Sequence, residues 1–200
     1  MIIEGGQPNG GRPFHSMTDL IIEGLAIVSA DGMIADAAGL QPDSLKPEAD
    51  QRFFHERLRA ADVLVHGRYS SEGNSSEAAL RRRIILTRHV NDVVRDPQND
   101  RAVLWNPAGS SFEAACALLE IRSGRATVIG GTDVFGLFLP SYAVFYLSEV
   151  ATARLPGGRP VFPGVPAVSP ADALSSHGLK PDATRVLDPL AGLTLTTWER

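Results

Sequence analysis

The sequence predicts an α/β fold, a mostly parallel central sheet with helices against it and an antiparallel edge at its C-terminal end. Three observations carry that prediction. The stretch "LIIEGLAIVSA", from Leu20, is too continuously apolar for a half-exposed strand and suits one buried on both faces. Segments of strand character then alternate with helical ones, the clearest being "PEADQRFFHERLRA", where Phe53, Phe54 and Leu58 recur at helical spacing. Last, "GLTLTTWER" alternates apolar and polar residues, as a strand pairing antiparallel at an edge does.

The elements follow in order. Residues 1–17, rich in Gly and Pro, read as a flexible N-terminal extension, which leaves 18–200 as a single domain. After the first strand, "DGMIADAAGLQPDS" reads as a loop. A helix is expected from Pro47 to Ala60, with proline in its first turn. "ADVLVHG", "RRIILTR" and "RAVLWN" are three short strands. Ser110 and Glu113 have the spacing of a capping box, for a helix that Gly124 would stop. "ATVIGG" is the next strand, then a short helix, then "YAVFYLSEV". Beyond Pro163 the chain is richer in Pro, Ser and Asp until the last alternating stretch.

Composition narrows the function. The chain has 200 residues, 44% hydrophobic and 21% charged, enough for one domain with a sizeable core. A formal net charge of -4 argues against nucleic acid or an anionic membrane as the main partner. Cys116 is the sole cysteine, so no intrachain disulfide forms, and a reducing, cytoplasmic setting is the natural expectation. No Cys/His cluster has zinc spacing, and no metal is expected.

Gly130-Gly131 stands where a buried strand gives way to a helix. In open α/β sheets ligands bind beyond the carboxyl ends of strands, where helix N–H groups and the helix dipole attract phosphate. Thr132 adds a hydroxyl there. A tight turn with nothing bound is the plain alternative. The stretch is neither the G-x-G-x-x-G fingerprint nor a Walker A loop.

The order "LAIVSADGMIAD", "VLVHGRYSSEG", "RRRIILTR", "VIGGTDVFGLFLP", "FYLSEV", "GGRPVFPGV" resembles the dihydrofolate reductase superfamily, which includes the reductase domain of the riboflavin-biosynthesis deaminase–reductase. The resemblance runs from about Ile21 to Pro163, with the last strand again similar. It implies a three-layer dihydrofolate reductase-like fold and an NADPH site. By the same resemblance, Ile129, Gly130, Gly131, Thr132, Asp133 and Val134 form the diglycine turn and the helix start at the pyrophosphate, with a cis peptide between the glycines. Gly67, Arg68, Tyr69 and Ser70 match the second phosphate-binding turn. Thr87 and Arg88 match the segment that reads the 2′-phosphate, which favours NADPH over NADH. Ile34 and Ala35 match the mobile loop beside the nicotinamide.

On the substrate side the resemblance places Ala26, Asp50, Phe54, Arg81 and Ser148. Asp50, with Phe53 and Phe54 after it, has the spacing of the acid that orients a pterin and assists its protonation. An acid in a first helical turn also simply favours the helix dipole. Glu48 is a weaker candidate for the same role. Arg81 stands near the family's reader of the folate carboxylate, or is part of a solvated basic run. His66 is either a packed residue or a titrating one beside the cofactor. The family's Trp after the mobile loop is absent, and Phe135 replaces a common Tyr. The expectation is a reductase transferring hydride from NADPH to a pterin or a ribosylamino-pyrimidine. The alternative is a non-catalytic or respecialised member that kept the nucleotide site. A homodimer is implied by resemblance to the riboflavin-type branch.

Overall fold

The computed structural model describes residues 20–70 and 76–200, so the N-terminal extension lies outside the described residues. The long apolar run forms strand β1 (Leu20–Ser29), and the periodic segment forms helix α1 (Glu48–Ala60). Between them, β2 (Met33–Ala35) interrupts the expected loop. Strand β3 (Val63–Gly67), the short helix α2 (Ser76–Ala79) and β4 (Arg83–Leu86) follow, then the hairpin β5 (Val93–Asp96) and β6 (Asn99–Trp105). Helix α3 (Phe112–Leu118), β7 (Gly124–Val128), α4 (Thr132–Phe138) and β8 (Val144–Val150) complete the parallel part. The C-terminal part holds β9 (Arg159–Pro160), α5 (Pro170–Ser176), β10 (Lys180–Asp188) and β11 (Leu193–Glu199).

Nine strands form one sheet in the order β10-β11-β8-β1-β7-β3-β4-β6-β5, while β2 and β9 make a separate ribbon. The pairings from β8 through β6 are parallel; β11 on β8, β10 on β11 and β5 on β6 are antiparallel. β1 lies inside the sheet, flanked by β7 and β8, which is why its sequence is apolar on both faces. No helix among the described residues is long and apolar enough to cross a membrane.

Several local expectations need correcting. Pro47 is the N-cap of α1, not a residue of its first turn. The cap of α3 is Ser111, whose hydroxyl accepts from the Ala114 N–H at 3.2 Å, rather than Ser110. That helix ends at Leu118, because Glu120 turns into the left-handed region at φ 59° well before Gly124. The alternating stretch is β11, but it lies between β8 and β10. The edge is β10, whose first seven residues are exposed on both faces.

A buried charge ties α1 to the sheet. Glu23 of β1 is fully buried and opposes Thr127 of β7, whose hydroxyl donates to it at 2.8 Å. Arg57 of α1 donates to the same carboxylate, and Arg125 does so at 3.2 Å. The Arg57 guanidinium also lies 4.8 Å from the centre of the Tyr146 ring. A carboxylate without water is tolerated only when its lone pairs are met in this way. Arg57→Met is expected to lower stability by about 2 kcal/mol, as loss of a hydrogen bond to a buried charge does, with Arg125 and Thr127 still in place. Thermal melts should show a fall of roughly 4–8 °C, and an unchanged midpoint would mean that Arg125 alone satisfies Glu23.

Candidate functional site

One cleft of about 890 Å³ opens beyond the carboxyl ends of β1, β3 and β7. That is where an open parallel sheet places a ligand, because the strand ends diverge and the following turns supply unpaired backbone groups.

One half of the cleft is built from glycine turns. The Gly130–Gly131 peptide is cis, and the Gly67 N–H donates to the Gly130 carbonyl at 2.8 Å, joining the turns after β3 and β7. Gly67, Arg68, Tyr69 and Ser70 line the cleft on one side, and Ile129, Gly131, Thr132, Asp133 and Val134 line it on the other. A methyl group built on Gly131 would meet only the Ser70 hydroxyl, at 3.6 Å, so the space before this backbone is open. Gly130 is different. It is buried at φ +113°, and a methyl there would lie 3.0 Å from the Phe135 ring. Tyr69 is 93% exposed at the rim. The Thr132 hydroxyl is already engaged, donating to the Pro160 carbonyl of β9 rather than standing free for a ligand.

The other half is built from α1. Asp50 and Phe54, one helical turn apart, both line the cleft, together with Ala26 of β1 and Ile34 and Ala35 of β2. Asp50 is 5% exposed. Burial pushes its carboxyl above the ordinary carboxylate range, although a hydrogen bond from the buried Ser148 of β8 pulls the other way. Asp50 makes no N-cap bond, since the cap residue of α1 is Pro47 and no side chain caps that end.

Of the remaining candidates, Phe135 lines the cleft, while Arg88, Thr87, Arg81, Glu48 and His66 are not among its lining residues. Arg88 is 90% exposed and stands 4.0 Å from Asp133, which places it at the rim beside α4. Thr87 is buried, its hydroxyl accepting from the His89 N–H at 3.2 Å. Arg81 pairs with Glu77 at 3.3 Å in a surface cluster that also includes Arg59. Glu48 pairs with Arg52 at 2.6 Å on the exposed side of α1. His66 is buried, with Nδ1 2.9 Å from the Gly67 carbonyl and Nε2 3.4 Å from Arg83. Because arginine only donates, Nε2 is the acceptor in that contact, which leaves Nδ1 to donate to the Gly67 carbonyl. Phe135 is buried among aromatic rings, 5.7 Å from Phe145 and 6.2 Å from Phe162.

Sequence reasoning missed Gln51 and His55, which line the cleft on the helix face next to Asp50 and Phe54. The i, i+4 spacing of α1 was the available signal. It also missed Lys46 and Arg159, which reach the cleft from a loop and from the β2–β9 ribbon.

No protein-family model matches the chain, and no curated protein does. Solved structures do match. A Shewanella sp. PV-4 protein assigned to riboflavin biosynthesis superposes with a TM-score of 0.62 at 20% identity, over 90% of this chain and 98% of the other. Dihydrofolate reductase from Enterococcus faecalis, complexed with NADP(H) and RAB-propyl, gives 0.60 at 22% identity over 90% and 96%. The fold is that of dihydrofolate reductase. A Thermotoga maritima diaminohydroxyphosphoribosylaminopyrimidine deaminase/5-amino-6-(5-phosphoribosylamino)uracil reductase also matches, with a TM-score of 0.60 at 18% identity, over 90% of this chain but 56% of its own length. In this dihydrofolate reductase-like sheet the antiparallel strands are β10 and β11 at one end and the β5–β6 hairpin at the other.

Proposed function

We propose that the protein is an NADPH-dependent reductase that delivers a hydride to a carbon–nitrogen double bond or masked carbonyl of a heterocycle, a pterin or a ribosylamino-pyrimidine. The observation that carries this reading is the composition of the cleft: a glycine-lined, arginine-flanked half faces a buried carboxyl whose proton affinity is raised.

The residues present fit a dinucleotide phosphate. The open space before Gly131 accepts a ligand against bare backbone, the first N–H groups of α4 have no intrahelical partner, and Arg68 supplies an exposed guanidinium. Bound there, NADPH supplies the hydride. The protein's share is orientation, exclusion of water and control of one proton. Ala26, Ile34, Ala35 and Phe54 wall the cleft where a planar heterocycle would lie, and Asp50 hydrogen-bonds its ring nitrogens and holds a proton near the reacting bond.

Dihydrofolate, other oxidised pterins and a phosphoribosylamino-uracil, each mixed with NADPH and followed by loss of nicotinamide absorbance, test the reading directly. Oxidation with one substrate class supports it and identifies the branch. NADPH binding with no turnover across the panel would favour a nucleotide-binding protein without this catalysis.

Arg88 bears on cofactor choice. It stands at the rim, and among the described residues the exposed Asp133 is its only ion-pair partner, a surface pair worth little. Arg88→Ala is expected to weaken NADPH about tenfold while leaving NADH unchanged, the loss of one charge-assisted contact to the 2′-phosphate. Equal losses for both nucleotides would remove Arg88 from that role.

A further inference from the structure

Two cations of the cleft remain outside the mechanism above, Lys46 and Arg159. Arg159 is set in place by the backbone. Strand β9 pairs with β2 so that Arg159 opposes Ala35, and Gly158 packs against the Ala35 carbonyl. From there the guanidinium lies across Gly39. A methyl group on Gly39, whose φ is +83°, would come within 2.6 Å of Nε and 2.7 Å of Cζ. Glycine at position 39 therefore gives the guanidinium its seat. Among the described residues no carboxylate or carbonyl pairs with it. Lys46, just before α1, also lines the cleft, and among the described residues its partner is the fully exposed Asp43 at 3.1 Å, a surface pair that a ligand displaces at little cost.

The carboxylates of the cleft do not answer these charges. Asp50 is buried, with its proton affinity raised, and Asp133 is exposed beside Arg88. Two cations, one of them paired only with an exposed carboxylate among the described residues, thus line one opening in a chain whose net charge is -4. A planar guanidinium fork and an ammonium group on the lining of one cleft suit a phosphate, which accepts from both.

We propose that Arg159 and Lys46 form an anion subsite at the mouth of the cleft that holds a phosphate group of the bound ligand. The proposal rests on reading the cleft as a reductase site, and it adds to that site two cations besides Arg68; Arg159 precedes Pro160, whose carbonyl accepts from the Thr132 hydroxyl at the start of α4. The phosphate belongs either to a phosphomonoester on the heterocyclic substrate or to the diphosphate of the cofactor.

The test uses the full chain, with Arg159→Met, Arg159→Lys and Lys46→Met beside the wild type and thermal melts to check folding. Calorimetric titrations use ribose 5-phosphate, ribose and inorganic pyrophosphate without cofactor, and NADPH separately. A substrate phosphate predicts that ribose 5-phosphate binds and ribose does not, and that the affinity falls between about 0.05 M and about 0.3 M salt. It further predicts a loss of about tenfold in Arg159→Met, less in Arg159→Lys, with NADPH unchanged. A cofactor phosphate predicts the tenfold loss for pyrophosphate and NADPH instead. Unaltered titrations of all phosphate ligands in both Arg159→Met and Lys46→Met would overturn the subsite. Should Arg159→Met fail to fold, Lys46→Met reads the same subsite from its other cation. Failure of the wild type to bind NADPH, with ribose 5-phosphate still bound, would overturn the reductase reading and leave the subsite standing.

Discussion

Asp50→Asn is expected to lower kcat/KM about a hundredfold at neutral pH and only a fewfold at about pH 5, the range that one positioned proton donor or acceptor contributes. The amide keeps the shape and can still hydrogen-bond a ring nitrogen, but it cannot hold a transferable proton. In acid, solvent supplies that proton, so the two pH–rate profiles converge. Stability is expected to move the opposite way. Burial raises the folded-state proton affinity of Asp50, so the stability tied to this group is fully present below the unfolded pKa of about 3.9 and is lost as pH rises through the higher folded value. Asn does not titrate, so Asp50→Asn should melt higher than the wild type at neutral pH and approach it in acid. A lower melting point with unchanged turnover would mean that the carboxylate merely supports the helix start, and the substrate-side assignment would fail. The combination of a slower and more stable variant is what a group placed for chemistry rather than packing produces.

The sheet was legible because burial on both faces writes itself into composition. β1 needs no polar side for solvent, and the alternation of β11 marks its place in the antiparallel part. The glycine-lined half of the cleft was legible as a pair of turns for a related reason. Its residues are consecutive in sequence, Gly67–Ser70 after one strand and Ile129–Val134 after another, so each turn carries its own signal. Other parts depend on distant pairings that no local pattern encodes. β9 is two residues long and exists because it meets β2, more than a hundred residues earlier in the chain, and Arg159 enters the cleft only through that pairing. The Glu23 cluster joins residues of three elements, and a lone Glu within an apolar strand gave no hint of its arginine partners. Strand β10 was hidden because both its faces are exposed over most of its length, which leaves no period to read. The Thr132 hydroxyl's partner, the Pro160 carbonyl, was hidden for the same reason as Arg159: both depend on where β9 lies.

Gly131→Ala is expected to weaken NADPH about a hundredfold or more while leaving the melting temperature within about 2 °C of the wild type. The two expectations are separable because the two glycines are not equivalent. Gly131 has φ -80°, which alanine adopts freely, and its added methyl meets only Ser70 Oγ at 3.6 Å, an ordinary contact. Nothing in the protein itself therefore opposes the substitution. The methyl instead enters the open space of the cleft, between the turn after β3 and the start of α4, where the reading above seats the phosphates against backbone. Gly130→Ala would not make this test, because its φ of +113° and the Phe135 ring at 3.0 Å would destabilise the fold whether or not a ligand binds there. Fluorescence titration of NADPH with the Gly131 variant, alongside a melt, reads both quantities. A folded variant that binds NADPH as tightly as the wild type would reduce the diglycine to a turn and move the cofactor elsewhere. A folded variant that has lost NADPH but still binds ribose 5-phosphate would show that the glycine-lined half holds the nucleotide, apart from the anion subsite of Lys46 and Arg159.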